Sequence, residues 1–324
     1  MDQFGIYCAL PRPSLPGSWS AEPRNETPWR VARSYDDHPA ILVAFEGPST
    51  REATSRRLAN VLYLPPAAVE IVGEAGGQVG RMAVLECRST DATLAQYFFR
   101  IVSTLLLDGA AADETVLESA IDAIIALFRA IQRPGERTVQ GLWGELAIIA
   151  WSAEPKTALS AWHSNPRALH DFSAGNERLE VKTTTKGLRE HAFRLEQLSR
   201  HGGAQTVVAS LMLQEVDDGV GVTELVREIA TRVGGGEPVR RLETIVAHSL
   251  GTGWRDADTV RFDVASAREG LRLYSAEVIP SVAIPVPAEV KDVSFVVDLS
   301  GTPNVDLGVV RERNALFRAL LPIA

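Results

Sequence analysis

Apolar and polar positions divide the chain into three stretches with different rhythms. Over residues 1–90, short apolar runs ("AILVAFEG", "NVLYLP", "VEIVGE", "RMAVLECRS") are separated by Pro, Gly and polar turns, the pattern of a β-rich domain. Residues 91–135 change period. In "DATLAQYFFRIVSTLLLDG" and "DETVLESAIDAIIALFRAIQ" apolar side chains return every three or four positions, as at Leu117, Ile121, Ile124, Phe128 and Ile131. That spacing predicts two helices, the second capped by Asp113. "RPGERT" breaks the pattern, and "GLWGELAIIAWS" (141–152) opens a new helix. Strands are predicted near 168–172, 177–184 and 205–213, helices at "VTELVREIATRV" and "PVRRLETIVAHSL", and late strands at 271–279 and 292–299. An amphipathic piece, "GVVRERNALFRALL", follows. The order predicts a layered α/β domain over 136–324, a helical connection over 91–135 and a β-rich domain over 1–90.

Composition narrows the function classes. The 324 residues suffice for two domains. The longest apolar runs fall well short of the ~20 residues of a membrane helix. The opening "MDQFGIYCALPRPS" has no basic region followed by an apolar one. Cys8 and Cys87 have neither metal-ligand spacing nor partners for a disulfide framework. These features predict a cytoplasmic protein without membrane attachment. The net charge of −8 argues against a general nucleic-acid coat but allows a local basic groove. Only Lys156, Lys182, Lys186 and Lys291 among the 33 basic side chains are lysine, so Lys182, inside a strand-like run, stands out.

The segment "ALHDFSAGNERLEVKTTTK" (168–186) reads as a β-hairpin. With Ser173–Asn176 as the turn, Phe172 pairs with Glu177 and Asp171 with Arg178. Arg178, Glu180 and Lys182 then share one face, and Asp171 lies diagonally from Glu180. A turn of another length changes this register. Two carboxylates and an ammonium on one face suit Mg2+, a hard ion held by one or two carboxylates plus phosphate oxygens. The bland alternative is a ladder of surface ion pairs. On the preceding helix, Glu145 is the single charge in a segment apolar almost all round. Such a helix is buried, so Glu145 pairs with an arginine, binds a metal, or sits at the helix edge. Downstream, "KGLREHAFRLEQLSRH" carries Lys186, Arg189, Arg194 and Arg200 with His191 and His201 against Glu190 and Glu196. That excess is either a phosphate-tracking segment or the solvated face of a helix.

Taken in order, "GLWGELAII", "HDF", "LEVKTTT" and "REHAFRLEQL" resemble an uncharacterised PD-(D/E)XK motif family within the restriction-endonuclease-like nucleases. The resemblance covers roughly residues 138–300. It implies a restriction-endonuclease-like α/β core, a mixed central sheet flanked by helices. It also implies catalytic Asp171, Glu180, Lys182 and Glu145, with Asp171, Glu180 and Glu145 as ligands of Mg2+ or Mn2+. Lys186, Arg189, His191 and Gln197 would contact substrate. His170 stands where the motif has proline, and Arg194 where a small polar residue is expected. The implied function is hydrolysis of DNA phosphodiester bonds in a restriction or phage-defence system, alongside ATPase or helicase partners. The alternatives are a catalytically inactive nuclease-fold subunit serving DNA binding or complex assembly, and a DNA-reading module dependent on a catalytic partner.

A second "EVK", at 289–291, follows the proline-rich "IPSVAIPVPA" with no nearby acid, and is read as polar residues entering a strand. Phosphate-loop, dinucleotide, H-E-x-x-H and nucleophile-elbow patterns are absent from the sequence.

Overall fold

The computed structural model describes residues 2–321 apart from 24–26, 45–55, 59, 74–75, 107–113, 136, 164–167, 199–203, 283–286, 288, 291 and 314. The chain forms two compact units, Met1–Gln132 and Arg133–Ala324.

The first unit begins with α1 (Gln3–Ala9), capped by the Asp2 carboxylate. Six strands follow: β1 (Trp19–Ala21), β2 (Trp29–Ser34), β3 (Pro39–Ala44), β4 (Arg56–Leu58), β5 (Val61–Gly73) and β6 (Gly76–Cys87). Their order is β1-β2-β3-β6-β5-β4, and a parallel contact of Trp19 with Ile71 joins β1 to β5, closing a five-stranded barrel-like sheet. Alternate residues, among them Ala32, Leu42, Val69 and Val84, fill one core cluster of the unit. The register of β5 against β6 slips between Leu64 and Ala67, where Pro65 and Pro66 have no N–H to give the ladder. Helices α2 (Ala92–Leu106) and α3 (Glu114–Ala130) pack on each other within this unit. The chain therefore divides after 132, whereas the change of rhythm sits near residue 90. The expected cap Asp113 lies outside the described residues.

The second unit opens with α4 (Val139–Trp151) and α5 (Pro155–Ala161). The Thr138 side chain caps α4 by accepting the Gly141 N–H. Every α4 residue from Leu142 to Trp151 is buried, as an apolar helix requires. A mixed sheet of order β7-β8-β10-β12 comprises β7 (Phe172–Ala174), β8 (Glu177–Thr184), β10 (Gln205–Met212) and β12 (Arg272–Ser275). β8 and β10 are parallel, and the outer pairs are antiparallel. Helix α4 packs against β8 at Gly144, where an added Cβ would lie 2.3 Å from Thr183 Cγ2.

Between β8 and β10 runs β9 (Glu190–Arg194), followed by a 3-10 turn over Leu195–Leu198. A helix was one expectation for this segment. Its side chains instead alternate exposed and buried from Glu190 to Arg194, the period of a strand. β9 pairs with β13 (Ser294–Asp298), and Phe193 and Val297 of this ribbon pack with Val208 and Tyr274 of the sheet. The unit is completed by β11 (Glu215–Val220), α6 (Val222–Val233), α7 (Glu237–Leu250), α8 (Val264–Glu269), α9 (Leu307–Arg313) and α10 (Ala315–Leu320). Glu177, the first residue of β8, accepts the Leu316 and Phe317 N–H groups at 2.8 and 3.2 Å, which fixes the start of α10. Among the described residues no helix is long and apolar enough to cross a membrane.

Candidate active site

The β7–β8 hairpin turns through Gly175 and Asn176, and Gly175 takes φ 53, a left-handed conformation that glycine accepts without strain. Phe172 pairs with Leu179, Ser173 with Arg178 and Ala174 with Glu177. The expected four-residue turn had Phe172 opposite Glu177 instead. The partner strand is displaced by two residues, and a displacement of two keeps every side chain on its face. Continued by one pair, the observed register sets Asp171 opposite Glu180. The Asp171 carboxylate accepts the Val181 N–H at 2.8 Å. Leu179 and Val181 point into the core on the other side.

Glu180 is buried, and its two oxygens differ. Oε1 lies 2.8 Å from Lys182 Nζ and accepts Gln197 Nε2 at 2.6 Å. Oε2 is buried without a hydrogen-bond partner. Gln197 also donates to the Leu169 carbonyl at 3.0 Å and accepts the Arg194 N–H at 2.9 Å, so the turn after β9 locks the carboxylate. Lys182 Nζ lies 5.2 Å from the centre of the Phe193 ring.

Glu145 enters from α4 and is also buried. Its Oε2 accepts the Trp162 indole N–H at 2.6 Å and a guanidinium N–H of Arg137. Arg137 precedes the helix cap in a segment that reads as a linker, and nothing in its sequence context marks it. Arg137, His170, Asp171, Glu180, Lys182 and Arg194 line a cleft of about 320 Å³, together with Gln197 and small or apolar neighbours. Glu145 does not line it.

The electrostatics follow from burial. Burial, and after it the Asp171 charge, raise the Glu180 carboxyl to about 8 against the opposing Lys182 and Gln197. Asp171 is also raised by burial, against the Val181 N–H and the Arg137 charge. Glu145 is pushed well up by burial and then by Asp171, with Arg137 and Trp162 opposing. Without a cation Glu180 holds its proton in the neutral range. A hard divalent ion fits the Asp171–Glu180 pair: the unpartnered Oε2 is an open oxygen ligand, and Mg2+ commonly takes one or two carboxylates. Among the described residues, however, no three His, Cys, Asp or Glu side chains are grouped to hold one metal ion. Asp171, Glu180 and Glu145, the expected ligand trio, do not form such a group among the described residues, and one oxygen of Glu145 accepts from Arg137 and Trp162.

The expected substrate contacts separate. Gln197 faces the cleft. Arg189, just before β9, and His191 within it face inward: Arg189 Nη1 donates to the Ser210 carbonyl and hydroxyl at 2.9 and 2.8 Å, and His191 Nε2 lies 2.8 Å from the same hydroxyl. Burial, aided by the Lys182 charge, lowers His191 to about 4. The pair fastens β9 to β10 and does not reach the cleft. Lys186 is exposed in the loop after β8 and does not line the cleft either. Arg200 and His201 lie outside the described residues. Arg194 and His170 do face the cleft, and the period-two alternation of "EHAFR" is the signal that sorts Arg194 outward from His191. In the second "EVK", Glu289 is exposed in a turn and does not line the cleft, and Lys291 lies outside the described residues.

Residues 6–300 match a family model described as "Putative PD-(D/E)XK family member". The match spans both compact units, a wider range than the motifs alone. Comparison with curated proteins and with solved structures gives no match.

Proposed function

The chain belongs to this PD-(D/E)XK family, and on that premise we propose that it is a metal-dependent nuclease hydrolysing DNA phosphodiester bonds. One observation supports the reading above others. Asp171 and Glu180 come together on one face of the hairpin, with a buried Glu180 oxygen unpartnered and Lys182 alongside. Asp171 and Glu180 would hold Mg2+ or Mn2+, which supplies Lewis acidity at the phosphodiester and lowers the pKa of a bound water. Lys182, set by Glu180 and Phe193, donates to the attacking water or to charge developing on the phosphate. Gln197 keeps Glu180 oriented. By the resemblance of the motif order, the DNA is foreign DNA and the partners are ATPase or helicase subunits of a defence system; the composition favours a cytoplasmic setting.

A second reading, a nuclease-fold subunit that binds DNA without turnover, is favoured by the lack, among the described residues, of a third acid grouped with Asp171 and Glu180. Incubation with plasmid and linear DNA in Mg2+ or Mn2+ separates the two. The parent should cut, and Lys182→Ala should lose about 10²–10³ in rate, as removal of a transition-state donor does. Equal cutting by both proteins would refute the assignment of Lys182. Metal and DNA binding without cutting would favour the second reading.

A further inference from the structure

The geometry points to Arg137 as a phosphate-binding residue of this cleft, with Glu145 its positioning residue and not a third metal ligand. The inference rests on the nuclease reading and specifies how the substrate is held.

Three observations carry it. Arg137 lines the cleft with Asp171 and Glu180, while Glu145, bonded to Arg137, does not line it. The guanidinium is fixed on several sides: Nη1 by Glu145, Nη2 by the His163 carbonyl at 3.3 Å, and its face by the Trp162 ring, 5.8 Å from the centroid. Glu145 Oε2 already accepts from both Arg137 and the Trp162 indole, so a metal at that oxygen would displace two donors.

The charge layout gives the arrangement a use. A DNA phosphate approaching Asp171 and Glu180 meets two acids. Lys182 pairs with Glu180 at 2.8 Å, and Arg137 lines the same cleft as Asp171, whose charge it favours. The acids are thus bracketed by two cations of different character. Lys182 is a compact point charge, whereas Arg137 is a planar fork suited to two phosphate oxygens. A fork already held in place loses less freedom when it grips.

The test uses the full chain. In Arg137→Gln/Glu145→Gln one charge of each sign disappears, so net charge is unchanged, and the Trp162 indole still has an amide oxygen to donate to. Affinity for a short DNA duplex, with Ca2+ in place of Mg2+, should fall about tenfold, and the dependence of log affinity on log salt should become shallower by about 0.9, one phosphate contact. Mn2+ affinity by calorimetry should stay at the parent value in Glu145→Gln and be lost in Asp171→Asn. Should the double variant fail to fold, Arg137→Lys serves: it should weaken DNA binding while keeping the salt slope. Loss of Mn2+ affinity in Glu145→Gln as large as in Asp171→Asn would make Glu145 a ligand and overturn the inference alone. Unchanged DNA affinity and slope in the double variant would reduce the pair to a structural ion pair and also overturn it. A parent that binds neither Mn2+ nor DNA would refute the nuclease reading and this inference with it.

Discussion

Replacement of Glu180 by glutamine probes the buried acid pair without any substrate. In the folded protein this carboxyl is held at about 8 against an ordinary 4.5. At about 1.4 kcal/mol per pKa unit, ionising it inside the fold costs up to about 5 kcal/mol. The sign follows from proton counting. Between about pH 4.5 and about pH 8 the folded state binds more protons than the unfolded one. Stability is therefore fully present below that window and is lost as pH rises through it. The Asp171 charge acts on Glu180, so the two acids titrate as an interacting pair. In Glu180→Gln the amide oxygen can still accept from Lys182 and Gln197, and no charge develops. Urea unfolding across this pH range should show the parent weakening with rising pH. The variant should show a flatter profile and exceed the parent by several kcal/mol above about pH 8. Mn2+ should restore the parent at high pH by binding its native state, and should do so less for the variant. Parallel profiles, or a parent that strengthens with pH, would refute the reasoning.

Gly144→Ala brings a Cβ to 2.3 Å from Thr183 Cγ2, so it should lower stability by about 1–3 kcal/mol. Adding Thr183→Ser should recover part of that loss in melting curves. Gln197→Ala releases the 2.6 Å bond to Glu180 and should weaken Mn2+ binding about 10–100-fold by calorimetry. Glu177→Ala removes the acceptor for Leu316 and Phe317 and should cost about 1–2 kcal/mol in urea unfolding, in the range of other lost helix caps.

The acids were more legible than their surroundings. Glu145 stood out because a lone carboxylate on an apolar helix requires a partner, although the sequence left open whether that partner was arginine or metal. Asp171, Glu180 and Lys182 kept their common face despite the wrong turn, because the error was two residues and not one. Gly175–Asn176 carries the signature of a two-residue turn, which would have fixed the register directly. The basic segment after β8 was harder. Its charge excess suggested one phosphate-facing surface, but strand alternation sends Arg189 and His191 inward and Arg194 outward. Arg137 had no local signal, since its partners Glu145, Trp162 and the His163 carbonyl are assembled only by the fold.

The tie between β8 and α10 has a consequence for timing. The bonds from Leu316 and Phe317 to Glu177 close loops of 139 and 140 residues. The hairpin closes across a two-residue turn, an event of microseconds, whereas contacts so distant along the chain must await long-range closure. During synthesis at ~5–20 residues per second, on the order of 10 s separate the emergence of the two partners. Throughout that interval the motif residues exist on a strand whose first carboxylate lacks these two donors. The start of this strand is therefore secured late, on a schedule set by the order of elements and not by the hairpin alone.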